Sequence, residues 1–433
     1  MLMESSRVVW FGKRIILLAY FTIGSMYAVY TPAWQAPDEP AHYNYIRGVV
    51  ETGRLPVLQT GDYDQSYLSQ ITSRGFPVDM ALDTLRYEGH QPPLYYLLAA
   101  PIFILSGGSI LALRLFSLFL GGGAVLLSML CTHTLFPRKP AMVLAVSGFI
   151  AFLPQNLAMM ASINNDALAA LLMSLGLWLL LRRHAGWASG IVIGLAMLAK
   201  VTVYVLVPVS VLALIVRARR RRWNWSEFLS VILPILVLGG LWWGRNILVY
   251  GWPDVLGLQR HADIVVGQPR SVTWLSNYGL VGFGVRFVQT SFQSFWGNFG
   301  WMGVPMGAQV YRLLGLFSLL MASGLFIAFR RRPSLFPWQR DGMMLLAVTV
   351  FVVFIQYLVY NLTFVQHQGR YLFPALVPLA LACAVATWGW ATILAGVWPS
   401  GAWALRWLPA VLAPGMAALS LYALFGVLIP SFS

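Results

Sequence analysis

Two adjacent carboxylates, Asp38 and Glu39, stand between Pro37 and Pro40, with His42 three residues on. A carboxylate beside a substrate hydroxyl is suited to take its proton as a general base. Further groups able to do chemistry recur along the chain. Glu88-Gly89-His90-Gln91-Pro92-Pro93-Leu94-Tyr95-Tyr96 joins an acid, a histidine and two tyrosines. Asn164-Asn165-Asp166 follows an apolar run, Lys200 separates two apolar half-runs, and Gly244-Arg245-Asn246 ends another. Gln366-His367-Gln368-Gly369-Arg370-Tyr371 precedes a late apolar run, and Ser294-Phe295-Trp296-Gly297-Asn298-Phe299-Gly300-Trp301 alternates glycine with aromatics. Each has an ordinary structural alternative. Asp38 and Glu39 suit the first turn of a helix over 40–53, Pro92 a helix start, Asp166 a cap, and the tyrosines a water boundary. Fixed cations such as Lys200, Arg245 and Arg370 suit a phosphate group.

The elements that must hold these groups follow from composition. Of 433 residues 59% are hydrophobic and 10% charged, and the net charge is +15. A soluble domain carries roughly 25% charged residues, and a soluble body this poor in charge would expose large apolar patches. Soluble enzyme, disordered chain and nucleic-acid binder are thereby excluded, leaving an all-α polytopic membrane protein. Apolar runs long enough to be membrane-helix candidates occur at 8–33, 109–135, 141–160, 165–182, 187–200, 201–216, 227–250, 310–330, 341–361, 370–395 and 406–430. They predict a bundle of about 11 transmembrane helices. Cys131 and Cys383 lie in apolar runs without metal-ligand spacing and read as buried apolar residues.

Lys and Arg mark the cytoplasmic side. The basic clusters are Arg7/Lys13/Arg14, Arg138/Lys139, Arg182/Arg183, Arg217 with Arg219–Arg222, and Arg330–Arg332. They all fall inside if the N-terminus is inside, the C-terminus outside, and 92–107 does not span. The last run is short, opens with Pro92-Pro93 and closes on Gly107-Gly108, as an interfacial or re-entrant helix would. The first helix is expected to be a retained anchor. No repeat or separate soluble domain is evident, so residues 1–433 read as one membrane-embedded domain. It has two large outer loops: 34–107 with interfacial helices, and 251–309.

This topology puts Asp38, Glu39, Asp166, Lys200, Arg245 and Arg370 at one membrane face. Charges of both signs at one depth imply a polar cavity. Its cations suit a lipid phosphate and its carboxylates a general base, with His42, His90, Tyr95, Asn165, Asp166, His367 and Trp296 as pocket or acceptor residues. Aromatic rings suit a sugar or a lipid tail.

Taken in order, these motifs resemble the GT-C superfamily of membrane glycosyltransferases over about residues 8–380. The resemblance is to bacterial relatives of protein O-mannosyltransferases and of the lipid A aminoarabinose transferase. Within these, Pro37-Asp38-Glu39-Pro40-Ala41-His42 and Phe295-Trp296-Gly297-Asn298-Phe299-Gly300-Trp301 look like a bacterial branch of their own. The resemblance implies a multi-pass protein of the bacterial cytoplasmic membrane with its site on the extracytoplasmic side. It implies a polyprenyl-phosphate sugar donor and a glycan, lipid or protein acceptor. Asp38 would be the catalytic base, and Glu39 would position Asp38 or the acceptor. Lys200 and Arg370 would bind the donor phosphate, and His90 would line the pocket. Gln91 departs from the family pattern by separating His90 from Pro92-Pro93. Arg245 is added as a phosphate ligand on its position alone.

The expected reaction is an inverting hexosyl or pentosyl transfer without a cofactor. Asp38, Glu39 and Asp166 are of a type to hold a divalent ion, but none is expected. Two other readings are a transporter or flippase of a lipid-linked or polar substrate, and a non-catalytic membrane subunit of an envelope assembly. A substrate pathway would need charges along the inner half of the bundle, where the sequence places almost none. The intact acid pair and Gly369-Arg370-Tyr371 speak against loss of catalysis.

Overall fold

The computed structural model describes residues 2–182, 186–220, 223–331 and 334–432, with side chains from Trp10 onward. Of the basic clusters, Arg183, Arg221, Arg222 and Arg332 lie outside the described residues, as do the Glu4 and Arg7 side chains.

The chain is helical almost throughout. Helix α1 (Leu2–Tyr30) leads into the first long connection, which holds α2 (Glu39–Thr52), α3 (Gln65–Ser73), a 3-10 turn at Tyr87–His90 and α4 (Leu94–Leu105). Next come α5 (Ile110–Leu135), α6 (Pro140–Phe152), α7 (Pro154–Met160), α8 (Asp166–Leu181), α9 (Gly186–Met197), α10 (Leu206–Arg220) and α11 (Trp225–Tyr250). The segment 251–309, expected as a loop, instead contains α12 (Leu258–Ile264), the 26-residue α13 (Ser271–Trp296) and a two-stranded hairpin, β1 (Asn298–Phe299) against β2 (Val304–Pro305). The chain then runs through α14 (Ala308–Arg330), α15 (Pro337–Thr363), a 3-10 turn at Gly369–Ala375, α16 (Leu376–Val397), the short α17 (Ala402–Leu405) and α18 (Leu412–Tyr422).

Helices occur at every run the sequence marks, but they are unequal. Among the described residues seven are long and apolar enough to cross a membrane, or eight if the bent pair α6–α7 is one span. Helix α8 has 16 residues and α9 only 12. At 1.5 Å per residue these reach about 24 and 18 Å, short of a hydrocarbon core of about 30 Å. Helix α4 has 12 residues and is equally short, as its reading as a non-spanning helix requires.

The helices are also interrupted between α6 and α10. Pro154 has no N–H to continue the helix, and the α6–α7 pair bends by 63° there. The segments 161–165 and 198–205 then run as irregular or 3-10 backbone. Irregular backbone at membrane depth is tolerated where it is buried in protein or lines a cavity. Here both segments border the site, against residues 34–107. The main core beneath is built on α1, α5, α6, α8, α10 and α16.

Candidate active site

Asp38 caps α2 with φ 66°, a left-handed conformation uncommon for a residue with a side chain. It is held there by its neighbour. Glu39 is fully buried and meets Arg114 of α5 in a two-pronged pair, Nε to Oε1 at 2.8 Å and Nη2 to Oε2 at 2.6 Å. Arg114 also donates to the carbonyls of Ala28, Thr31 and Pro32 at the end of α1. The backbone N–H groups of Trp34 and Ile163 donate to Glu39. This cluster therefore ties α1, α2, α5 and the segment before α8 together. Asp38 and Asp166 follow from that tie on either side.

Above it lies a cavity of about 270 Å³ lined by Asp38, His42, Glu88, His90, Asp166, Lys200, His261 and Arg370, with Tyr357, Tyr360 and Tyr371 on one wall. Two ion pairs dominate it. Arg370 Nη2 donates to Asp38 Oδ2 at 2.7 Å, and Lys200 Nζ donates to Asp166 Oδ1 at 2.6 Å. The other Asp38 oxygen accepts from the Tyr87 hydroxyl at 3.1 Å. Burial alone would raise the Asp38 carboxyl, but Arg370, His42 and Tyr87 together hold it below the ordinary carboxylate value. Asp38 is thus ionised at neutral pH, as a general base must be.

The local sequence explains how each group arrives. Lys200 stands in extended conformation between α9 and the 3-10 turn at Val201–Val205, where helix would have buried it in lipid. Arg370 is delivered by Gly369, whose N–H donates to Ser294 Oγ of α13. A Cβ at 369 would lie 2.3 Å from the Ser291 carbonyl oxygen, so only glycine lets this turn lie on the α13 backbone. The turn at Tyr87–His90 sends Tyr87 to Asp38 and Glu88 and His90 into the cavity. His42 Nδ1 is 2.9 Å from the Tyr96 hydroxyl, which fixes the ring on the cavity wall.

The structure brings Asp38, His42, His90, Asp166, Lys200 and Arg370 together. Six other residues singled out from the sequence lie elsewhere. Glu39 is saturated by protein donors behind the wall. Arg245 turns away to Asn246 and the Pro56 carbonyl and packs on Trp242 and Tyr250. Tyr95 is fully buried against Ser117 rather than at a water boundary. Asn165 reaches Gln91 and the Ala199 carbonyl from behind the cavity. His367 is ringed edge-on by Trp274, Phe283 and Phe287. Trp296 packs in the core against Phe149, Phe295 and Phe317.

Two cavity residues escape a reading of spacing. His261 comes from the short α12, and its ring centroid lies 4.3 Å from that of His90. Burial moves both imidazoles down, His90 to about 4, so both are neutral at physiological pH. Glu88 sits in a motif that the sequence does display, two residues before His90, and only its side-chain direction was illegible.

An anion entering this cavity would find two cations already in place. A hydroxyl entering it would find a charged carboxylate. The arrangement is competent for transfer of a group between a phosphate and a hydroxyl.

Comparison with known structures agrees on the fold. ArnT from Cupriavidus metallidurans in the apo state aligns over 98% of this chain and 77% of its own, at 16% identity and a TM-score of 0.57. The same protein bound to undecaprenyl phosphate aligns over 98% and 74%, at 16% identity and a TM-score of 0.53. This likeness shows a GT-C fold. No curated protein matches the sequence. Residues 72–379 match the family described as predicted membrane protein (DUF2142), and the chain belongs to that family.

Proposed function

We propose that the protein is a membrane glycosyltransferase that moves a sugar from a polyprenyl-phosphate donor to an acceptor on the extracytoplasmic side. The observation that carries this reading is the pairing of Asp38 with Arg370 and of Asp166 with Lys200 on one cavity wall. Its support in the fold is the likeness to ArnT, which is known bound to undecaprenyl phosphate.

In the proposed step, Asp38 takes the proton of an acceptor hydroxyl. The acceptor oxygen forms its bond to the anomeric carbon as the bond from that carbon to the phosphate oxygen breaks. The electron pair leaves with the phosphate, whose charge Lys200 and Arg370 neutralise. A single displacement inverts the anomeric configuration. Phosphate bound at Arg370 also draws this cation from Asp38, so donor binding makes Asp38 more basic when a base is needed. The acceptor is a glycan, lipid or protein, and the sugar a hexose or pentose. The site works without a resident metal, because Glu39 has no free lone pair and Asp38 and Asp166 each hold a cation of the protein.

The experiment is transfer by purified protein from undecaprenyl-phosphate sugars to envelope acceptors, with Asp38→Asn as control. Product from the wild type and none from D38N is expected. Equal product from both would overturn the assignment of Asp38.

A further inference from the structure

Among the described residues the cavity is lined by three carboxyl groups but only two Lys or Arg side chains. Asp38 takes Arg370 and Asp166 takes Lys200. Among the described residues Glu88 is left without a cation of its own, and its Oε2 is buried with no hydrogen-bond partner. An unsatisfied buried carboxyl oxygen in a ligand cavity points to a partner that arrives with the ligand.

We propose that Glu88 is the residue that binds hydroxyl groups of the transferred sugar and so determines which sugar is accepted. This rests on the reading of the cavity as a glycosyltransferase site. The argument is one of exclusion by charge. Phosphate goes to the cations, and a carboxyl without one repels it or at best donates a single proton to it. The part of the donor that Glu88 faces is therefore the uncharged part. That part lies close to the reacting bond, because Glu88 lines the same cavity as Asp38 and Lys200 and follows Tyr87, which is bonded to Asp38. In a sugar phosphate, the sugar ring is bonded both to the phosphate and to the centre that Asp38 serves.

Chemistry at Glu88 fits hydroxyls. Burial and the neighbouring Asp38 charge raise its carboxyl, against the opposing influence of His42 and Lys200. Its carboxyl oxygens accept hydrogen bonds, which the hydroxyl groups of a sugar ring donate. Placement follows from the 3-10 turn, which fixes Tyr87 on Asp38 on one side and His90 against His261 on the other.

The test measures dissociation constants in detergent for undecaprenyl phosphate and for undecaprenyl-phosphate linked to a hexose, a pentose and an N-acetylhexosamine, with no acceptor present. The wild type should prefer one sugar-bearing lipid over the bare one. Glu88→Ala should remove about tenfold to a hundredfold of that preference while leaving the bare lipid within about twofold, and Glu88→Gln should fall between. Parallel losses for bare and sugar-bearing lipids, an unchanged ratio, or no preference in the wild type would overturn the proposal. A wild type that binds none of these lipids would overturn the glycosyltransferase reading as well, and so tells the two failures apart.

Discussion

Asp38 and Glu39 are neighbours in sequence and opposites in surroundings. Glu39 accepts from four protein N–H groups, two on Arg114 and one each on Trp34 and Ile163. Asp38 accepts from one group on each oxygen, Tyr87 and Arg370. A carboxylate offers about four lone-pair sites. Glu39 has used them all and Asp38 has used half. Glu39 is therefore structural, whereas Asp38 retains capacity for a proton and an unsaturated shell facing a cavity. What separates a lock from a reactive group here is the number of committed donors together with exposure to the cavity, not the presence of a carboxylate.

Substitutions can break this comparison, beginning with the largest effect. D38N should lower transfer by about 10²–10⁴-fold, the usual worth of a general base, with an unchanged thermal unfolding midpoint in detergent. Breaking the buried pair with E39A or R114A should destabilise the fold by about 3–5 kcal/mol, read as lost yield and a lowered unfolding midpoint. A double E39L/R114M variant that regained that stability would sharpen the case that the pair holds shape without acting on substrate. K200A removes a charge-assisted contact and should raise the donor KM about 10–100-fold with a smaller change in kcat.

A pH profile probes Asp38 from another side. Its carboxyl lies below the ordinary value because Arg370, His42 and Tyr87 outweigh burial, so activity should stay flat through neutral pH and fall only in strong acid. Arg370→Gln removes the strongest of the lowering influences. The acid limb of the residual activity should then move up by about 1–3 pH units. An acid limb that stayed in place would show that Asp38 is not the titrating base. The smallest effect is expected from a chelator, which should leave transfer unchanged.

Much of this was legible in the sequence because it rests on runs and on local motifs. The apolar stretches located the long helices except α13 (Ser271–Trp296), which lies in the segment 251–309 read as a loop because polar residues and glycines interrupt it, and Pro92-Pro93 marked the short α4. Asp38, Lys200 and Arg370 were legible because charge inside an apolar context needs a reason. Pairings were not. Arg114 is 75 residues from Glu39, and nothing in the α5 run indicated which carboxylate it would meet. His261 stood alone in a loop, with no periodicity to aim it at His90. Arg245 and His367 shared the membrane face of the site but not the direction of its side chains, which depends on packing that a single sequence does not display. Trp296 and Tyr95 were read as ligand-facing aromatics, and packing put both in the interior.

The Arg114 cluster also sets an order of assembly. The end of α1 keeps three backbone carbonyls and one carboxylate waiting for a side chain made more than 70 residues later. Asp38 waits far longer, since Arg370 lies 332 residues downstream. During synthesis the early helices therefore enter the membrane with their outer ends unfinished. The first outer loop acquires its shape once α5 is in place, and the charge balance around Asp38 is completed only after most of the chain has been inserted. A truncated chain would carry the base without its counter-ion, which ties the onset of chemistry to near-complete biogenesis.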